Sequence, residues 1–319
     1  MRSQPAWERA RERWLLNLRK SLLGPLLPLL RILPPRAASN ALAALGRVEY
    51  RLSRGLRHRF DRALTETSHH FGTTWDVREI GRELAGNQLH WRARDLLLDG
   101  LAKPLVDTLF EIEGRSNLRD ALAEGRGVVL LCSHFGSHMM PAHWLAREGY
   151  PLRLFMERPR TISRFLARDF DSDGPTGQRK LFISRRSNPK ESAGAIMRAT
   201  RVLNAGMILM IAGDVRWSGA QTSPAEFLGK SYTFSNTWVR LASIARAPIV
   251  PVFCRIATDR RYVLEFQERL VLPEGPLDAG QTDACVGAFL RRVEKVVERY
   301  PSNSADYFFW EGQGTTLAI

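Results

Sequence analysis

The sequence predicts an α/β protein built on a mainly parallel central sheet flanked by helices, with a helical, membrane-associating segment ahead of it. Three observations carry that expectation. Compact apolar runs bounded by glycine or a polar turn recur along the chain, each of a length suited to a strand covered on both faces. Segments with apolar positions at helical spacing separate them, and strands that alternate with helices build parallel sheets. The first 65 residues differ in kind, being leucine-rich and carrying fourteen basic against four acidic side chains.

Within that first segment the leucines between Trp14 and Arg31 are interrupted by Arg19, Lys20, Pro25 and Pro28. The uninterrupted apolar length falls well short of the roughly 20 residues that a spanning helix needs. Leucines interleaved with bases suit a helix lying among lipid headgroups, with its basic side chains directed at anionic phosphate. A helical pair packing on the body of the protein is the compatible alternative. The chain accordingly divides into residues 1–65, a basic membrane-associating segment, and residues 66–319, the α/β domain.

In the domain, Val77 to Leu101 reads as helix, and Leu118 to Ala123 as a short helix ended by Gly125. Val128 to Cys132 is the first buried strand. Met139 to Arg147 is helical and stops at Gly149, and Leu152 to Met156 is the second strand. A helix capped by Ser187 or Asn188, with Pro189 in its first turn, continues through Ala199 and Leu203 to Gly206. Met207 to Ala212 is the third strand, Asn236 to Ala245 a helix and Ile249 to Phe253 the fourth strand. Tyr262 to Gln267 is the fifth, with clear alternation. Asp283 to Tyr300 closes as an amphipathic helix with Val286, Phe289, Leu290, Val293, Val296 and Val297 on one face.

Composition excludes several classes. A chain of 319 residues with 44% hydrophobic and 25% charged residues folds rather than staying disordered. Cys132, Cys254 and Cys285 are far apart in sequence and form no C-x-x-C pair, which speaks against a disulfide framework or a cysteine-based zinc site and for a reducing compartment. The net charge of +14 favours polyanions, lipid phosphate or nucleic acid alike. Helix-turn-helix, zinc-finger and RNP-type aromatic patterns are missing from the sequence, and the basic excess lies among leucines, so nucleic acid is not the expected partner.

The chemistry-bearing residues fall where strands end. In open parallel sheets, ligands gather at the carboxyl edge, where loops converge and helix N-termini point. The strand GVVLLCS delivers His134 to that edge, and Gly136 lets the backbone turn sharply there, so that the amides after it, beginning with Ser137, are candidates to face an anion or a developing oxyanion. The second strand delivers Glu157 and Arg158, and the third delivers Asp214. A structural histidine bonded to a carbonyl and a turn-capping aspartate are the plain alternatives for His134 and Asp214. His138 and His143 stand four and nine residues after His134, but the pattern lacks the glutamate of H-E-x-x-H, so no metal is expected.

The run Ser133-His134-Phe135-Gly136-Ser137-His138-Met139 resembles the S-H-F-G-N-W-E signature of the late acyltransferases of lipid A biosynthesis and the related phosphatidylinositol mannoside acyltransferases, within the lysophospholipid acyltransferase superfamily. Phe155 to Pro159 falls where that family has its arginine-bearing block, and Ala212-Gly213-Asp214 at its aspartate block. Glu226-Phe227-Leu228-Gly229 is similar to its F-F-G element. Leu241 through Phe253 resembles its alanine-rich helix and proline-flanked strand.

The resemblance implies a glycerolipid acyltransferase-like fold and transfer of a fatty acyl chain from an acyl carrier protein or coenzyme A thioester to a hydroxyl or amine of a lipid or glycolipid. It implies work at the cytoplasmic face of a bacterial inner membrane as a peripheral protein, and no cofactor, the thioester being a co-substrate. His134 would be the general base, with Arg158, Gly136, Ser137, Phe227 and Gly229 at the substrates. The family's acid, five positions after the histidine, is here Met139, which carries no charge. Three readings stay open. Asp214 or Glu157 supplies the acid; the histidine works unassisted on a different acceptor; or the chain is a non-catalytic binder of lipid or acyl carrier.

Overall fold

A computed structural model describes residues 32–92, 98, 101–156, 189–217, 219 and 221–308. The chain begins there with α1 (Pro35–Leu52), α2 (Arg54–Phe71) and α3 (Val77–Arg92). Proline opens α1 in its first turn, Ser53 caps α2 by accepting from the Leu56 N–H, and Gly72 ends α2 in the left-handed conformation. Residue 65, where the basic segment was expected to end, lies inside α2. Helices α1 and α3 cross almost backbone on backbone, because a Cβ at Gly46 would stand 2.3 Å from the Ala85 carbonyl oxygen.

The sheet follows. After α4 (Lys103–Asp107) come β1 (Phe110–Glu113), α5 (Arg115–Ala123), β2 (Val128–Cys132), α6 (Met140–Arg147), β3 (Leu152–Phe155), α7 (Pro189–Asn204) and β4 (Ile208–Ala212). A hairpin, β5 (Thr222–Phe227) with β6 (Lys230–Ser235), precedes α8 (Thr237–Ala245), β7 (Ile249–Ile256), β8 (Tyr262–Phe266) and α9 (Ala279–Arg299). A 3₁₀ turn (Pro301–Asn303) and α10 (Ala305–Phe308) close the described chain.

Six strands form one sheet in the order β1-β8-β7-β2-β4-β3. The four from β7 to β3 are mutually parallel, as expected, while β8 runs antiparallel to β7 and β1 parallel to β8. The reversal has a simple cause. Five residues link β7 to β8, too few for a crossover, so the chain can only turn back.

Both faces are covered. Val129 and Leu131 of β2 pack with α7, α8 and α9, while Val128, Leu130 and Cys132 pack with α5 and α6. This two-sided burial is what a continuous apolar strand encodes, and it puts β2 in the middle of a three-layer sandwich. All five predicted strands are present. Helix α9 starts four residues earlier than expected, because Asp278 and Gln281 form a capping box that satisfies the first turn. Among the described residues no helix is long and apolar enough to cross a membrane, and the leucine-rich stretch from Trp14 to Arg31 lies outside them.

The helix crossing is testable. Gly46→Ala should force α1 off α3 and lower stability by about 1–3 kcal/mol, a typical overpacking cost. A urea midpoint equal to that of the parent would contradict the close approach.

Candidate active site

His134 and Asp214 meet because of strand register. In the β2–β4 pairing Cys132 stands opposite Ala212, so each functional residue lies two positions past a paired one, at the same carboxyl edge. The Gly213 N–H donates to the Cys132 carbonyl at 2.8 Å and carries the pairing one step further. A side chain at 213 would run into Phe289, whose ring carbon would lie 2.5 Å from its Cβ. Glycine there lets β4 pass the core and release Asp214 at the rim.

The carboxylate of Asp214 is buried, with side-chain exposure of 0%, against 37% for His134. Its Oδ1 lies 2.9 Å from His134 Nδ1. Its Oδ2 accepts the His134 backbone N–H at 2.7 Å and the Tyr307 hydroxyl at 2.7 Å. Burial pushes this acid up, but the His134 charge and the three donors outweigh it and hold the group below the usual carboxylate range. Asp214 is therefore ionised at neutral pH and fixes the ring from its Nδ1 side, leaving Nε2 for chemistry. His90 is unsuitable as a base: it is fully buried on α3, and burial with the Arg260 charge pulls it down to about 3.

His134 opens onto a depression walled by Asn87, Gln88 and Trp91 of α3 and by Ser302, Asn303 and Ala305 beyond α9. That wall is tied together by polar contacts. Buried Arg260 donates to Asn87 Oδ1 at 2.8 Å and to Glu83 Oε2 at 3.0 Å, and Asn87 Nδ2 donates to the Ser302 carbonyl at 3.0 Å. The side-chain oxygen of Asn303 accepts the Ile256 N–H at 2.8 Å.

Several expectations need correcting. The Ser137 N–H, the first of the amides after Gly136, donates to the Cys254 carbonyl at 2.9 Å, so it is engaged within the fold rather than facing an oxyanion, as is the Gly136 N–H, which donates to the Asn303 carbonyl at 2.8 Å. Gly136 lines the depression and makes the sharp turn expected of it. Its φ is +58°, and a Cβ would lie 2.1 Å from the Cys254 oxygen. Ser137 is fully buried and is not on the wall of the depression.

Phe227 is fully buried against Tyr307, and Gly229 with Leu228 forms the β5–β6 turn, both at positive φ as a type I′ turn requires. Neither lines the depression. His134 and His138 precede α6 instead of sharing a helix face, and their ring centroids are 5.1 Å apart. His143 is fully buried, and among the described residues no cluster of three or more His, Cys, Asp or Glu could hold a metal ion. Glu157 and Arg158 lie outside the described residues.

Met139 is 7% exposed and packs in the apolar cluster of Leu98, Trp144 and Val250. The position that resembles the family's acid is thus part of the core, and the carboxylate at the histidine comes from the next strand. Sequence reasoning missed Tyr307 and Asn303 altogether. No motif surrounds them, and their only signal is a short polar and aromatic tail after a long amphipathic helix.

A family model described as bacterial lipid A biosynthesis acyltransferase matches residues 19–310. A search of curated proteins finds no match.

Met139→Glu measures the environment of that position. An unpaired carboxylate there should lower stability by a few kcal/mol. Burial raises the acid in the folded state, so the penalty should grow as pH rises above the unfolded value of about 4.3 and shrink below it. Urea midpoints at acidic and neutral pH check both the size and the direction.

Proposed function

The chain belongs to the bacterial lipid A biosynthesis acyltransferase family, and from that premise we propose how it works: His134 is the general base of an acyl transfer, oriented by Asp214. As a member of that family it is an acyltransferase that acts on a lipid acceptor. The donor is an acyl thioester of acyl carrier protein or coenzyme A. The acceptor is a hydroxyl, or an amine, of a lipid or glycolipid. One observation carries the reading, the 2.9 Å contact between His134 Nδ1 and Asp214 Oδ1.

An alcohol is a poor nucleophile near neutral pH, and an imidazole within reach removes its proton as attack proceeds. In the proposed reaction the acceptor oxygen adds to the thioester carbonyl carbon while its proton passes to His134 Nε2. Asp214, already bonded to Nδ1–H, stabilises the imidazolium that forms. The tetrahedral intermediate then expels the thiolate, which takes the proton from Nε2, leaving an ester and a free thiol. No covalent acyl-enzyme is needed, and the buried thiols of Cys132 and Cys254, pushed up by burial, are unsuited to forming one.

A non-catalytic reading starts from the absence of an acid at Met139, and an ionised aspartate bonded to the ring supports the catalytic one. Arg158 is proposed to meet a phosphate of donor or acceptor, and the basic segment to hold the protein at the cytoplasmic face of the inner membrane as a peripheral protein.

His134→Ala should cost on the order of 10² to 10⁴ in turnover, the usual range for a lost general base, while the fold persists. Asp214→Asn should also depress turnover strongly, since an amide can hold the ring but adds no charge. The assay is acyl transfer from thioester to extracted lipid, read by mass spectrometry. A folded His134→Ala protein with parental turnover would sink the assignment.

Attachment is tested separately by flotation with anionic liposomes. Each base near such a surface contributes about 1 kcal/mol, so removing the residues before Pro35 should abolish flotation at moderate salt. Equal flotation of full-length and shortened protein would refute the role of that segment.

A further inference from the structure

We propose that Tyr307 is a positioning residue of the His134 and Asp214 pair, its hydroxyl drawing off charge from one carboxylate oxygen while Phe227 fixes the ring that carries it. The inference rests on the reading of His134 as the base. Tyr307 is only 4% exposed and so does not reach substrate. Its hydroxyl donates to Asp214 Oδ2 at 2.7 Å, on the same oxygen that accepts the His134 N–H, while Oδ1 is left to the ring. The two oxygens thus have separate duties. One is tied to the fold by two donors, and the other faces the base.

The division has a chemical consequence. A general base must be neutral when the acceptor arrives. A buried carboxylate with its whole charge on an imidazole favours the imidazolium and depletes the neutral form near neutral pH. A phenol donor to the far oxygen delocalises part of that charge, so Asp214 still orients the ring but raises its basicity less. Titratable groups that face the pair include His138, across the ring, and Cys132, at the end of β2, which burial and the Asp214 charge keep as a thiol.

Phe227 supplies the mechanical half. It is fully buried at the end of β5, and its ring meets the Tyr307 ring edge to face, with centroids 5.2 Å apart at 71°. The turn at Leu228 and Gly229 that follows is anchored in turn, its Leu228 N–H donating to Glu294 of α9 at 2.7 Å. The Phe227 to Gly229 element, which does not line the depression, thereby acts on it through Tyr307.

Tyr307→Phe removes the hydroxyl and keeps the ring on Phe227. In full-length protein labelled at histidine, with the His134 signal identified by its loss in His134→Gln, an NMR titration reads the ring directly. The His134 midpoint should rise by about half a unit to one unit in Tyr307→Phe, and the acid limb of kcat should move the same way with KM unchanged. Phe227→Leu, which loosens the ring but keeps the hydroxyl, should shift the midpoint in the same direction by less, and serves if Tyr307→Phe does not fold. A midpoint that is unchanged or lowered in the folded variants overturns the inference. Because the titration needs no turnover, a raised midpoint in a protein that transfers no acyl group would refute the proposed function and leave the role of Tyr307 standing.

Discussion

Burying the carboxylate of Asp214 is the constraint around which the site is arranged. A charge removed from water has to be met by donors, or it neutralises or unfolds its surroundings. Here the donors are the His134 amide, the His134 ring and the Tyr307 hydroxyl, drawn from two widely separated parts of the chain. Each source imposes a condition on the fold. The amide requires β2 and β4 to be in register, the ring requires the turn at Gly136, and the hydroxyl requires the segment after α9 to cross back over the sheet edge.

That crossing is held by backbone as much as by side chains. Asn303 accepts from Gly136 through its main-chain oxygen and from Ile256 through its side chain, while Ser302 accepts from Asn87. Arg260 ties Asn87 and Glu83 at the far end of the same network, and Arg47 of α1 bonds to Glu83. The wall of the depression is therefore continuous from α1 through α3 to the loop that carries His134. Members of such a network polarise and position one another, so the helices ahead of the sheet are tied to the loop that carries His134, and Asn87, Gln88 and Trp91 of α3 share the depression with it.

What the sequence made legible follows from periodicity. Strands β2 and β4 are unbroken apolar runs, as is β7 up to Cys254, and burial on two faces leaves no other pattern, so their positions and the His134 edge could be read directly. Strand β1 is half polar, Phe-Glu-Ile-Glu, and the β5–β6 hairpin is a polar alternation containing Pro224 and turned by Leu-Gly in place of Asn-Gly. Neither carries a strong local signal. The partnership of His134 with Asp214 was open in the sequence beside Glu157, because parallel neighbours are set by sheet order, which no local pattern encodes. Tyr307 was illegible for the same reason: a lone aromatic after a helix says nothing about the carboxylate it meets 93 positions away.

The source of the carboxylate also governs when the pair can form during the life of the chain. Had position 139 carried it, ring and carboxylate would be near neighbours in sequence and could pair in a short, partly folded fragment. With the imidazole at 134, the carboxylate at 214 and its donor at 307, the groups leave the ribosome far apart in time and are joined only by the assembled sheet and the returning segment. A nascent or misassembled chain exposes a histidine with no oriented partner. The pairing of ring and carboxylate is thereby made a property of the finished molecule and is missing from half-built copies of it.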